Sequence, residues 1–293
     1  MSLTRIADVE QQVKEYWSDL MREELLESNL MVNLINKDYQ GAIQKGGDTV
    51  YVSQIKRPSG ATKTIGEAGY DVYSSEKLST ARIEIKADKI FEAGFEFDSI
   101  VELQSQIGDQ DSKIRMALRE AIEIQINNFV YGLLSASNKT GAVTDFNASQ
   151  VSGLRKYASQ KKWRKDGQWY LITDPSYHTD LLNAQTLTSA DYVGDKPVIG
   201  GQIGAQRFGW NIFEDNSDGL LNVIKKAGGA ASEDVALGFH RDFLHLVIQK
   251  EMEFKISDLH AMKKRGYLIT AEMIGGGAKG HDHDDLHKVI YNA

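Results

Sequence analysis

Residues 48 to 98 constrain the fold more than any other stretch of this chain. Two strand-like segments are joined there by an arm too long and too polar to be a compact turn. The ascending segment is Thr49–Ile55, set off by Gly46, Gly47 and Asp48; the descending one runs near Thr80–Lys86, where apolar and polar residues alternate. Between them, Lys56 to Ser79 hold Pro58, Gly60, Gly66 and Gly69 but few large apolar side chains. A structureless connection above about twenty residues is rare inside a compact domain, so either the strand assignment is wrong, or the segment is disordered, acts as a mobile lid, or leaves its domain to contact something else. The last reading is preferred: the arm works outside its own subunit.

At 293 residues the chain can form one large or two moderate domains, and 41% hydrophobic with 26% charged residues is ordinary for a soluble globular protein. A net charge of -7 argues against a general nucleic-acid binder, whose footprint is normally basic. The absence of cysteine removes disulfides, thiolate zinc sites, iron–sulfur clusters and cysteine nucleophiles. The first thirty residues carry seven acidic and three basic side chains with no long apolar run, unlike a secretory signal, and no later apolar stretch approaches a membrane span.

Along the chain, Ile6, Val9, Val13, Trp17, Leu20 and Met21 form one stripe, which predicts an amphipathic helix over residues 6–28. A second stripe, Ile114, Leu118, Ile122, Ile126, Phe129 and Leu133, predicts a helix over about 112–135, roughly 35 Å long at about 1.5 Å per residue. The Gly/Thr/Asn/Asp-rich residues 138–148 mark a domain boundary. Beyond it the pattern predicts a helix over 149–163, a buried strand at Trp169–Thr173, a helix opened by Asp174 and Pro175, a loop over 187–206 and a strand at Arg207–Phe213. It then predicts a strand at Val235–Phe239, a short helix over His240–Gln249, and strands at Glu251–Ile256 and Gly266–Ile274. These returning strands are expected to join the sheet at the hairpin base.

Candidate chemistry is sparse. His281, Asp282, His283, Asp284, Asp285 and His287 are ligand types that suit zinc, with His283 and His287 at helical spacing, but they follow Gly275–Gly277 and Gly280 in what reads as a solvated tail. Gly200–Gly204 lacks the full GxGxxG spacing and a Walker lysine, and neither HExxH nor GxSxG occurs. His240 and His245 read as packing or interface residues rather than general bases. Arg155, Lys156, Lys161, Lys162, Arg164 and Lys165, near Trp163 and Trp169, form the densest basic patch. That patch suits phosphate, a solvated face, or an acidic surface of another subunit. No residue is assigned a catalytic, cofactor-binding or metal role.

The order of these elements resembles the major capsid proteins of tailed phages with the Hong Kong 97-type fold. The resemblance rests on Asn33–Tyr39 followed by Lys45–Val52, on Phe91–Ser99 before the long helix, on Tyr170–Pro175, and on Ala236–Asp242, and it spans nearly the whole chain. It implies an α+β fold with an N-terminal arm at 1–40 and an extended loop with its base at 41–98. It further implies a peripheral domain from 99–146 and 234–293 with its spine helix at about 112–135, and an axial domain at 147–233. The implied function is non-enzymatic and needs no cofactor: self-assembly into pentamers and hexamers of an icosahedral or prolate head shell. That shell encloses DNA without sequence-specific binding and without a membrane, in a virion assembled in the host cytoplasm. A portal and a separate scaffolding protein are the implied partners, since the N-terminal segment is short for a fused scaffold. Some family members cross-link lysine to asparagine; Lys56 and Lys63 lie in the corresponding loop, with no acceptor assigned. An encapsulin-like cellular shell protein and a metal-dependent hydrolase using the C-terminal His/Asp cluster are the alternative readings.

Overall fold

The structure is a computed structural model that describes residues 30–39, 49–97, 111–134, 139–141, 143–184, 187, 208–220, 234–262 and 266–292. The helix expected over 6–28, the Gly200–Gly204 segment and most of the 187–206 loop lie outside the described residues. The fold is mixed α+β. Its helices of five residues or more, among those described, are α1 (Leu30–Leu34), α2 (Asp111–Gly132), α3 (Ala148–Gln160) and α4 (Pro175–Asn183). None of these is long and apolar enough to cross a membrane.

Strands β1 (Thr49–Ile55) and β2 (Thr80–Lys86) have the bounds that alternation and turn residues predicted, and they pair antiparallel from Thr49 opposite Lys86 to Ile55 opposite Thr80. They form a two-stranded sheet by themselves. The returning strands therefore do not join the hairpin, as the sequence had suggested; they divide between two other sheets.

The first of these is antiparallel, in the order β3 (Lys89–Phe97), β9 (Tyr267–Lys279), β8 (Leu244–Asp258). Helix α2 packs on it through the predicted stripe: Ile114, Leu118, Ile122 and Ile126 are buried against a core that includes Phe91, Leu246, Ile269 and Met273. Each such side chain contributes about 1.5–3 kcal/mol when fully buried. On the outer face Arg119 and Glu123, one turn apart, pair at 2.8 Å. The helix expected over His240–Gln249 is absent. A 3-10 turn at Arg241–Phe243 leads instead into one fifteen-residue strand, β8, which also absorbs the separate strand expected at Glu251–Ile256. Leu244, His245, Leu246 and Val247 are all buried, so both faces of the strand are covered there and the alternation that marks a strand is lost.

The second sheet runs β4 (Lys139–Thr140), β10 (His287–Tyr291), β7 (Val235–His240), β5 (Trp169–Thr173), β6 (Asn211–Glu214). The pairs β4/β10 and β5/β6 are parallel and the others antiparallel. Helices α3 and α4 cover it, burying Val151, Leu154, Ala158, Tyr177 and Leu181 with Trp163, Trp169 and Trp210. The α4 entry follows the sequence signal: the Asp174 carboxylate accepts from the amides of Ser176 and Tyr177, and Pro175 occupies the first turn. The strand expected at 207–213 begins later, at Asn211, because Phe208 and Gly209 take positive φ values of 51° and 86° in a turn. The solvated tail predicted after Gly280 is corrected outright: beyond a turn at 281–286 the chain enters β10, between β4 and β7, with Val289 and Ile290 buried.

Candidate assembly surfaces

The arm begins where the β1/β2 ladder ends. The Lys56 amide donates to the Ser79 carbonyl at 2.9 Å, the Ser59 amide to Glu76 Oε2 at 3.2 Å, and Ser59 Oγ also bonds Glu76. Near the tip, Lys63 Nζ donates to the carbonyl oxygens of Gly69 (2.8 Å) and Val72. Gly66 and Gly69, with φ of 94° and 80°, supply the positive-φ positions of the tip turns. These polar links all join the arm to itself. Every residue from Ser53 to Thr80 is exposed, including Ile65 at 91%, Tyr73 at 97% and Leu78 at 75%. Large apolar side chains left in solvent on a segment that bonds to itself make it a candidate contact surface.

The base is anchored. Ile85, Ala87 and Val247 form a small core with Val50, Val52, Tyr39 and Ala278, and His281 Nε2 lies 3.1 Å from the Val52 carbonyl. The arm base crosses β9 so closely that a Cβ at Gly276 would lie 1.9 Å from the Lys86 carbonyl oxygen. Only glycine admits that crossing.

Beside the base lies a cleft of about 570 Å³, bounded by Asn36–Tyr39, Val52–Gln54, Lys161–Arg164, the end of β7 with the start of β8, and the 281–286 turn. Its charges are mostly matched internally. Lys161 pairs with Asp285 at 2.6 Å, Arg164 lies 3.7 Å from Asp242, and Asn36 Nδ2 donates to Asp242 at 2.8 Å. Arg241 reaches Asp38 at 2.9 Å, which together with the Asn36 bond ties the segment after α1 to the turn before β8. His245 sits edge-on to Tyr39 at 5.2 Å between ring centroids, and burial pushes its pKa down.

The basic patch is separated from its aromatic neighbours. Arg155, Lys156, Lys161, Lys162, Arg164 and Lys165 are exposed, whereas Trp163 and Trp169 are core residues whose indole N–H groups donate to the carbonyls of Asp285 (2.7 Å) and Arg164 (2.6 Å). The two tryptophans therefore present no stacking platform to a nucleobase.

The terminal histidines are likewise structural. His283 Nδ1 lies 2.8 Å from the Phe243 carbonyl and His287 Nδ1 lies 2.6 Å from the His283 carbonyl, which fixes these nitrogens as donors. The His283 ring stacks on Phe243 at 5.7 Å and packs on His287 at 4.6 Å. Burial lowers the His283 pKa to about 4. Asp282, Asp284 and Asp285 point outward, and among the described residues no group of three or more His, Asp or Glu side chains is placed to hold a metal ion. The sequence signal for this packing was the β-branched pair Val289 and Ile290 after His287, a short strand pattern that the glycines before it obscured.

An exposed arm on an anchored base, with no metal-holding cluster among the described residues, is the geometry of a structural subunit. A family model for phage capsid proteins matches residues 106–283, more than half of the sequence, and the chain belongs to that family. Its function is that of a major capsid protein, and its place is the capsid of the virion. The fold is similar to a chain from Mycobacterium phage Che8 (20% identity, 96% of each chain covered, TM-score 0.71). It is also similar to the acidic stable capsid of Helicobacter pylori bacteriophage KHP30 (10% identity, 100% of this chain and 98% of that one, TM-score 0.73). A third likeness is to the capsid of cyanophage P-SCSP1u (13% identity, 97% of this chain and 94% of that one, TM-score 0.70). A search of curated protein sequences found no match.

Proposed function

We propose that this chain builds a phage head by self-association into pentamers and hexamers, with residues 56–79 as the arm that ties each subunit to its neighbours. The observation that carries this reading is the arm: it holds itself in shape through Ser59, Glu76 and Lys63 while leaving Ile65, Tyr73 and Leu78 in solvent. Head-to-tail contacts close into rings where the rotation permits, and repeated weak contacts add to a stable shell.

In Hong Kong 97-type terms, residues 1–40 are the N-terminal arm and 41–98 the extended loop with its base. Residues 99–146 and 234–293 are the peripheral domain with α2 as spine, and 147–233 are the axial domain. These segments share one sheet, since β7 from the peripheral segment pairs with β5 of the central block. The shell encloses DNA without reading its sequence, which agrees with the net charge of -7 and with a basic patch lacking exposed tryptophan. Assembly takes place in the host cytoplasm with a separate scaffolding protein and a portal. Electron microscopy of the purified subunit, with scaffold supplied, tests the reading. Shells are expected from the intact chain, and a chain lacking residues 56–79 is expected to fold but not to form stable shells. Equal assembly by the deletion variant refutes the role of the arm, and persistent monomers of the intact chain refute the whole reading.

A further inference from the structure

We propose that His245 is a proton-operated latch at the foot of the arm: in acid its contact with Tyr39 opens, which frees the segment after α1 and loosens the arm base together. His245 is 5% exposed, it lines the cleft beside the arm base, and its Nδ1 is buried without a hydrogen-bond partner. Its ring meets Tyr39 edge-on. Tyr39 also packs on the small core of Ile85, Ala87 and Val247 that seats the arm base with Val50 and Val52. The segment that carries Tyr39 lies along the same stretch of β8: the Asn36 amide donates to the Leu244 carbonyl at 3.3 Å, and the Leu246 amide donates to the Asn36 carbonyl at 2.9 Å. One ring contact therefore links the segment after α1, the start of β8 and the arm.

The neutral ring fits this site and the imidazolium does not. Both nitrogens of the charged form are donors, and the buried Nδ1 has no acceptor. Burial is the largest influence and holds the His245 pKa below its ordinary 6.5; His281 acts in the same sense, while Asp242 and Asp38 oppose it. Both carboxylates are already engaged. Arg241 reaches Asp38 at 2.9 Å, Asn36 Nδ2 donates to Asp242 at 2.8 Å, and Arg164 lies 3.7 Å from Asp242. The cleft walls add Lys161, Lys162 and His240, with Asp282 and Asp285 of the opposite sign. A folded pKa below the unfolded one gives a contribution that is full above about 6.5 and is lost as pH falls through the folded value. The charged state is reached by local opening, in which Tyr39 moves off the ring and water solvates Nδ1.

The latch belongs to the single subunit and stands whether or not the chain forms shells. Because the chain has no cysteine, introduced thiols report local opening. Val50→Cys places a thiol in the arm-base core and Ser75→Cys one on the exposed arm; the ratio of their maleimide labelling rates in the full-length unassembled subunit cancels the ordinary pH dependence of the thiolate. From about pH 7.5 to about pH 5 that ratio is expected to rise about five-fold. His245→Phe keeps an edge-on ring that cannot take up a proton, and His245→Gln cannot take one up either. Both are expected to hold the ratio constant with pH, whatever its absolute value. His283→Gln is expected to keep the rise, which separates the latch from the other buried histidine whose pKa burial lowers. Hydrogen exchange at the Leu246 amide, corrected for its intrinsic pH dependence, is an independent reading of the same opening and decides alone if Val50→Cys disturbs the core. A parent without an acid-induced rise, or a rise that persists in the His245 variants or vanishes in His283→Gln, overturns the inference.

Discussion

Acid is expected to weaken this subunit through His283, and the effect can be isolated with one substitution. The ring is buried, stacked on Phe243 with Nδ1 against the Phe243 carbonyl, and its folded pKa is about 4 against an ordinary value of 6.5. The unfolded chain therefore binds more protons between those values, and stability rises with pH across that window. The contribution is fully present above about pH 6.5 and is lost as pH falls through about 4. A shift of that size corresponds to about 3 kcal/mol. Asp174 acts in the opposite sense: burial foremost, with Asp234 nearby, raises its carboxyl from 3.8 to about 6, so its contribution is full below 3.8 and is lost as pH rises through 6. The parent's total pH profile is consequently flatter than either group implies, and the informative quantity is a difference between proteins. His283→Gln retains a donor but cannot take up a proton. Urea unfolding of the unassembled subunit at intervals from pH 7.5 to 4 is expected to show the variant less stable by about 1 kcal/mol at the top of the range, from lost ring packing. That gap is expected to close and then reverse by about 3 kcal/mol in total as the pH falls. A gap constant with pH would refute the assignment of this proton linkage to His283.

Two further outcomes follow from backbone geometry. Lys162 holds φ of 59° just past the end of α3, where the Lys162 amide donates to Ser159 and the Trp163 amide to Ala158, a position that glycine fills without a Cβ penalty. Lys162→Gly is expected to stabilise the fold by about 0.5–1 kcal/mol, read as a higher denaturation midpoint, and a lower midpoint counts against the argument. Gly276→Ala places a methyl 1.9 Å from the Lys86 carbonyl oxygen and is expected to cost about 2 kcal/mol or more, with faster amide exchange across Thr80–Ala87. Unchanged exchange in that strand would show that the arm base does not rest on the saddle at Gly276.

What could be read in advance depended on how strongly local pattern and final environment agreed. The hairpin strands, Trp169–Thr173 and the Asp174–Pro175 helix start were legible because alternation, a compact apolar run and a cap each act within a few residues. The stripe on α2 was legible for the same reason. The β8 region was misread because Leu244–Val247 is covered on both faces, and a fully buried strand has no period to distinguish it from a short helix. The terminal cluster was misread because glycines usually mean mobility, whereas Gly276 is required where the arm base crosses β9. The long connection was legible as a deficit: its twenty-four residues carry no local core, and in the structure every one of them is exposed.

The position of β10 sets an order of events. It lies between β4 and β7, so residues near 140 join the β7–β5–β6 ladder only through a strand that is translated after all of them. During synthesis β7 has one partnered edge, along β5, and one open edge until residues 287–291 emerge, and an open strand edge is a template for wrong pairing. The arm, whose ladder is local, can form long before that moment. A chain stalled or truncated ahead of β10 would thus carry a finished arm on an unfinished body. On the role proposed for the arm, such a chain would engage neighbours without a finished body, so completion of one internal strand separates making a subunit from using it.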